Sequence, residues 1–136
     1  MTRRVSIITL ASSDLHRSLR FYRDGLGFAS DGIAKPEHGG NHVAFDLGGG
    51  LTLVLFNRQA LAALAPGGAP EAGGAILSLQ VDTRGEVDTV LAAAKQAGGL
   101  IAVDALSESF GYHAHFRDPD GHLWEVVWFG GEPNGQ

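Results

Sequence analysis

The sequence predicts an α+β fold in which two βαβββ modules repeat along one chain. The same order of predicted elements occurs twice, and positions inside those elements superpose. Asp14 matches Asp82, and the segment 42–45 matches 113–116 at a slightly larger offset. Because loop lengths vary between repeats, a small drift in offset is expected. We therefore identify an internal repeat and interpret the motifs of the chain within it.

Module one covers about residues 4–57, and its elements follow from apolar periodicity and turn residues. Apolar side chains at helical spacing follow the capping residue Asp14, and glycines at 25 and 27 end that helix. Gly48, Gly49 and Gly50 join two strand-like runs, which indicates a hairpin. The predicted elements are a strand at 5–10, a helix at 15–26, an irregular segment at 29–41, and strands at 42–47 and 51–56.

A linker at about 58–73 precedes module two at about 74–129, and the tail 130–136 is expected to be frayed. The turn Asp-Pro-Asp-Gly at 118–121 has proline and glycine where a type I turn favours them. His122 after this turn and His16 on the first helix are expected to face solvent. The predicted elements of module two are strands at 75–81, 100–103, 112–116 and 123–128, with a helix between the first two.

Length, composition and charge narrow the classes of function. The 136 residues suit one domain with a single core, and 44% of them are apolar. A formal net charge of −5 argues against a nucleic-acid partner, because phosphate recognition needs a basic surface. We interpret the arginines near the N-terminus as a solvated helix face. They are Arg3, Arg4, Arg17, Arg20 and Arg23.

The chain contains no cysteine, which excludes disulfides, thiolate metal sites and a cysteine nucleophile. The N-terminus lacks the apolar core of a signal peptide, and no apolar run reaches the roughly 20 residues of a membrane span. We therefore expect a cytoplasmic protein without membrane contact.

Two motifs, each in its place within the repeat, carry a family resemblance. One is Asp-Pro-Asp-Gly-His-Leu-Trp-Glu at 118–125, and the other is the first helix with Asp-Leu at 14–15, Phe-Tyr at 21–22 and Leu-Gly-Phe at 26–28. Over essentially its whole length the chain resembles the vicinal-oxygen-chelate superfamily of glyoxalases, bleomycin-resistance proteins and dioxygenases. The resemblance implies a single domain whose mixed sheet curves into a cup, with helices outside and the ligand site inside.

The resemblance also implies where metal-dependent members hold a divalent cation, which polarises two oxygens of the substrate. The matching positions of this chain are Ile7, Val54, Ile76 and Glu125. Three of these four side chains are aliphatic and offer no lone pair, and one carboxylate alone does not hold a metal against water. We therefore expect no metal cofactor of the family's usual kind.

A rebuilt metal site is the alternative. His113 and His115 alternate onto one strand face, and the repeat places His42 at the matching position of module one. With Glu125 they would form an unorthodox ligand set for a metal-dependent lyase or dioxygenase. The same residues could instead be ordinary polar lining. Glu125 could also act as a catalytic general acid or base, if apolar neighbours desolvate it.

We favour a protein that binds a small molecule in an apolar cup, as bleomycin-resistance relatives do without metal chemistry. The sequence leaves the ligand, and whether the protein is an enzyme, open. Because family members usually pair, we expect a homodimer. The expected ligand-binding residues are Ile7, Thr9, His42, Val54, Phe56, Ile76, Ser78, Gln80, His113, His115, Leu123 and Glu125.

Overall fold

The computed structural model describes residues 3–65 and 67–130, so the expected fraying of the tail lies almost wholly outside the described residues. The described chain is a mixed α+β structure with two sheets, which confirms the predicted fold class. It divides into two compact units, Met1–Ala72 and Gly73–Gln136. The strands are β1 (Ile7–Ser12), β2 (His42–Asp46), β3 (Thr52–Asn57), β4 (Ile76–Gln80), β5 (Leu100–Glu108), β6 (Gly111–Arg117) and β7 (Leu123–Trp128), and the α-helices are α1 (Leu15–Leu19), α2 (Arg58–Leu64) and α3 (Arg84–Gln96).

The strand pairing confirms the internal repeat residue by residue. In the first unit β3 lies between a parallel β1 and an antiparallel β2. In the second unit β7 lies in the same way between a parallel β4 and an antiparallel β6. His42 pairs with Phe56, and His113 pairs with Val127, so the offset between His42 and His113 also holds between their partners.

The first helix is shorter as an α-helix than the sequence predicts. The Asp14 side chain accepts a hydrogen bond from the backbone N–H of Arg17 and starts α1, as predicted. After Leu19 the chain widens into a π-helical turn over Arg20–Gly25. This turn contains Phe21 and Tyr22, which are neighbours in sequence and both fully buried. Apolar spacing predicts a helical face but not a change in the hydrogen-bond step.

The segment 29–41 is irregular, as predicted. Where a βαβββ module would have its second strand, this segment forms only two isolated β-bridges. Ala29 pairs with Asp46 and Ile33 with Val43, and a short 3-10 helix covers Pro36–His38. The glycines at 48–50 all have positive φ and connect the β2–β3 hairpin. The first unit thus has three strands, in the order β1-β3-β2.

The second unit is a four-stranded sheet, in the order β4-β7-β6-β5, with α3 packed on one face. Fully buried Val87 of α3 meets Ala114 of β6 and Val126 of β7 in its core. Thr83 caps α3 by accepting a hydrogen bond from the Glu86 N–H. The predicted strand at 100–103 is too short, because β5 continues to Glu108 through two shifts in pairing that interrupt strand alternation.

The turn before β7 is closed by backbone and side-chain hydrogen bonds. The Gly121 N–H donates to the Asp118 carbonyl at 2.9 Å, which confirms the predicted β-turn. The prediction that His122 faces solvent is wrong, because its backbone is bonded to Asp118 and the residue is 6% exposed. His16 is exposed, as predicted. None of the helices in the described part of the chain is long and apolar enough to cross a membrane.

Candidate functional site

A polar cluster lies on one face of the second-unit sheet and is centred on Glu125 of β7. Ser78 of β4 pairs directly with Glu125 on one side, and His115 of β6 pairs with it on the other. His113 lies two residues before His115 and therefore on the same face. Sheet pairing thus brings four predicted site residues together on three adjacent strands.

The two carboxylate oxygens of Glu125 have different partners. The Ser78 hydroxyl donates to Oε1 at 2.8 Å. The other oxygen, Oε2, lies 3.0 Å from His113 Nδ1 and 3.8 Å from His115 Nε2. The three side chains are shielded from solvent, with 20% of Glu125, 12% of His113 and 16% of His115 exposed.

Each histidine of the cluster also presents a buried ring nitrogen without a hydrogen-bond partner. These atoms are His113 Nε2 and His115 Nδ1. Glu108 Oε2 lies 3.5 Å from His113 Nε2, which is an ion-pair distance without a hydrogen bond. A buried polar atom that lacks a partner costs about 1–3 kcal/mol, so these two nitrogens are open to a further hydrogen-bond partner.

Aromatic contacts fix the orientation of the two imidazoles. The Phe110 ring packs edge-on against His113 with 5.1 Å between ring centroids. His113 in turn packs edge-on against His115 at 5.3 Å. Such edge-to-face contacts stabilise the two rings beside Glu125.

The cluster has the composition of a possible metal site. One ligand atom from each of His113, His115 and Glu125 lies within 4.8 Å of the other two. Among residues 3–65 and 67–130 it is the one group of three or more histidine, aspartate or glutamate side chains with this geometry. Two imidazoles with one carboxylate suit transition metals.

The family ligand positions do not fit a metal in the same way. Ile7 at 59% and Ile76 at 55% are exposed aliphatic side chains. Val54 is half-buried on β3 and pairs with Thr9 and Ala44. Because these three side chains carry no atom that can bind a metal, Glu125 is the one residue at a family ligand position that could act as a ligand.

The predicted residues of module one lie on one sheet face but form no comparable polar cluster. Pairing places Thr9 beside Val54, and His42 beside Phe56. The His42 ring stacks on Phe56, and its Nδ1 lies 2.9 Å from Asn41 Oδ1. The contacts of His42 thus lie within the first unit. All four residues of the Glu125 cluster belong to the second unit.

The repeat offers an internal comparison for the cluster. Val54, Ala44 and His42 of module one correspond to Glu125, His115 and His113 of module two, because all three pairs share one offset. At two of these three positions module one has aliphatic residues. The polar cluster is thus a property of module two.

Three further predicted residues flank the cluster on the same face of the second-unit sheet. Ile76 and Gln80 lie on β4 on either side of Ser78, and both are exposed. Leu123 is half-buried and pairs with Ile76. Apolar side chains next to a polar centre are typical of a small-molecule site.

Sequence reasoning missed Glu108 and Phe110, which contact His113 from the β5–β6 hairpin. The pairing of Glu108 with Gly111 brings Glu108 and Phe110 close to His113. A prediction of β5 at its full length would have indicated these contacts. Sequence reasoning also missed an open groove of about 500 Å³ in the first unit. That groove is lined by Ala29, Ser30, Asp31, Ala44, Asp46, Gly50 and Thr52.

The comparisons with known proteins agree with this architecture. The model of the glyoxalase/bleomycin resistance protein/dioxygenase superfamily matches residues 4–126. The chain belongs to this superfamily. No curated protein sequence matches this superfamily member.

Several solved structures superpose over most of the chain. A glyoxalase-related enzyme from Fulvimarina pelagi is 27% identical, with a TM-score of 0.82, and the match covers 99% of this chain and 96% of that one. A hypothetical protein of S. aureus is 26% identical, with a TM-score of 0.79 and 94% of both chains covered. A lactoylglutathione lyase of Agrobacterium tumefaciens is 22% identical, with a TM-score of 0.70 and 93% and 94% covered, and this likeness shows the fold alone.

Proposed function

We propose that this superfamily member binds a small organic molecule on the sheet face around Glu125, without the metal ligand set of metal-dependent relatives. One observation supports the proposal most strongly. Glu125 stands at a family ligand position, but its carboxylate is bonded by Ser78 and His113. Ile7, Val54 and Ile76 occupy the positions from which metal partners would come.

The surroundings of Glu125 indicate an amphipathic ligand. Ser78 and His113 surround the carboxylate with polar atoms, while the exposed Ile76 and half-buried Leu123 give an apolar surface beside it. A ligand whose polar group contacts Glu125 would cover Ile76 and remove its apolar surface from water. Burial of such surface contributes about 25 cal/mol per Å², which makes Ile76 a useful anchor.

Acid–base chemistry on the bound molecule is compatible with this site. A carboxylate and an imidazole 3.0 Å apart can exchange a proton directly. Glu125 would hold or release the proton at Oε2, and Ser78 would keep the carboxylate in place through Oε1. An enzyme of this kind needs no metal ligand at Ile7 or Ile76.

A metal-dependent lyase or dioxygenase is the second candidate function. The observation that favours it is the proximity of His113, His115 and Glu125, which are three of the four residues of the predicted rebuilt site. The fourth, His42, belongs to the first unit and contacts Asn41 and Phe56 there.

A ligand screen on chelator-treated protein tests the proposal. The panel should contain amphipathic small molecules and two probes suggested by the names of the family and of a similar structure: bleomycin and S-lactoylglutathione. Compounds that raise the melting temperature go on to calorimetric titration with Glu125→Gln and with Glu37→Gln, a control that removes an exposed carboxylate of the first unit. We expect Glu125→Gln alone to weaken binding. A panel without binders, or equal binding by both variants, would contradict the proposal.

We also propose that the protein forms a homodimer, that it is cytoplasmic and that each chain is a single domain. Light scattering at micromolar concentration tests the first of them, since a dimer predicts twice the 14.2 kDa chain mass. A monomeric mass would contradict it.

A further inference from the structure

We infer that His113, His115 and Glu125 form a binding site for a divalent transition-metal cation, with a ligand set that differs from the family's. Only Glu125 is common to the two sets. The inference concerns the cation alone, so it stands or falls independently of the small-molecule proposal. It rests on the distances between the ligand atoms and on the side chains that hold the ligands.

The distances between ligand atoms suit a bound cation. A metal with bonds of about 2.1 Å separates neighbouring ligand atoms by roughly 3.0 Å at right angles and roughly 3.4 Å in a tetrahedron. His113 Nδ1 and Glu125 Oε2 are 3.0 Å apart in a hydrogen bond that the cation would replace, and His115 Nε2 is 3.8 Å from the same oxygen. One ligand atom of each of the three residues lies within 4.8 Å of the other two, so the cation requires His115 to move closer to Oε2.

The carboxylate of Glu125 is held in the orientation that a ligand needs. The Ser78 hydroxyl bonds Oε1, which leaves Oε2 directed at both imidazoles. Ligating carboxylates are commonly fixed by such an outer hydrogen bond. Ser78 is therefore a positioning residue for the proposed site.

Glu108 is placed to support His113. If Nδ1 of His113 binds the cation, Nε2 carries the proton and faces Glu108 Oε2, which lies 3.5 Å away. A slightly closer approach gives this buried nitrogen, which now has no hydrogen-bond partner, an acceptor. Carboxylates that accept from the second nitrogen of a ligating histidine are common in metal sites, and their loss weakens metal affinity about 10–100-fold.

The ligand types define the class of cation. Imidazole nitrogens suit Zn²⁺, Ni²⁺, Co²⁺ and Fe²⁺, whereas Mg²⁺ and Ca²⁺ take oxygen ligands. Three protein ligands also leave coordination positions open, as in catalytic rather than structural sites. The expected occupant is thus a transition-metal cation that retains at least one exchangeable water.

Metal binding is measured by equilibrium dialysis of chelator-treated protein against Co²⁺, Zn²⁺, Ni²⁺, Mg²⁺ or Ca²⁺, followed by elemental analysis. We expect one equivalent of Co²⁺, Zn²⁺ or Ni²⁺ per chain and no stoichiometric Mg²⁺ or Ca²⁺. The visible spectrum of the Co²⁺ form reports coordination independently of any activity. Failure of all three transition metals to bind would overturn the inference.

Variants locate the site. His115→Gln and Glu125→Gln should each abolish stoichiometric binding, and Glu108→Gln should weaken it about 10-fold. His16→Gln removes an exposed histidine of the first unit and should bind like the parent protein. Circular dichroism of each apo variant checks that it folds. Unchanged binding by a folded His115→Gln variant would overturn the assignment, even if the small-molecule screen succeeded.

Discussion

Replacement of Asp118 by alanine should destabilise the protein, because this side chain holds the turn that leads into β7. Asp118 is 3% exposed, and its Oδ1 accepts hydrogen bonds from the backbone N–H groups of Asp120 and His122, each at 2.9 Å. Alanine keeps the backbone turn bond from Gly121 but removes the one carboxylate oxygen that accepts both side-chain bonds.

The expected loss follows from the two bonds. Hydrogen bonds to a charged acceptor contribute about 1.5–3 kcal/mol each. The His122 N–H is in a buried residue, whereas the Asp120 N–H lies in a half-buried one that water can reach. We therefore expect Asp118→Ala to lower the free energy of unfolding by about 3 kcal/mol, close to one full bond plus part of a second.

Urea unfolding followed by far-ultraviolet circular dichroism measures this difference. Asp118→Asn is the matched control, because its amide oxygen accepts the same bonds without the charge, and it should lose about 1 kcal/mol. A loss below about 1 kcal/mol for Asp118→Ala would refute the reasoning. So would equal losses for the two variants.

Two further predictions concern module two. Gly111→Ala should lower the free energy of unfolding by at least about 2 kcal/mol, because φ is +152° and the new methyl group would collide with the Trp128 carbonyl. Gly85→Ala in α3 meets no atom within 4 Å and should gain up to about 1 kcal/mol, so similar urea midpoints for the two variants would contradict this account. The hydrogen bond to Asp88 raises the pKa of Tyr112. The stabilisation from this hydrogen bond is therefore complete below the ordinary tyrosine pKa and is lost as pH rises through the raised pKa of Tyr112. The stability difference between the parent protein and Tyr112→Phe should shrink over that pH range. A difference that stays constant from pH 8 to above that range would contradict it.

Much of the fold was predictable because the repeat supplied two independent views of the same pattern. The sequence predicted the strands of both hairpins and the offset between them, and the structure pairs His42 with Phe56 and His113 with Val127 at that same offset. Strand alternation likewise placed His113 and His115 on one face.

The remaining features depend on backbone irregularities that periodicity does not encode. The shifts between Ile101, Val103 and Leu106 conceal the length of β5, and with it the contacts of Glu108 and Phe110 with His113. His122 directly follows a turn glycine, a position that predicts an exposed loop residue. The hydrogen bond from its backbone N–H to Asp118 holds it in a buried position instead.

The structure adds a bond from Ser78 to the group of His113, His115 and Glu125 that the sequence had already brought together. Sequence comparison with the family removes three metal partners of Glu125, whereas the sheet gives this residue Ser78, His113 and His115. The second set requires the pairing of β4 with β7, because Ser78 reaches Glu125 only in that register.

The most direct test of the Glu125 cluster is a long-range ¹H–¹⁵N spectrum of the histidine rings during a Zn²⁺ titration of the apo protein. The chain has six histidines, which provide four internal controls. We predict that Nδ1 of His113 and Nε2 of His115 change together at one equivalent, while the other histidines keep their shifts. Changes at His42 or the exposed His16 instead, or none at His113 and His115, would contradict the account.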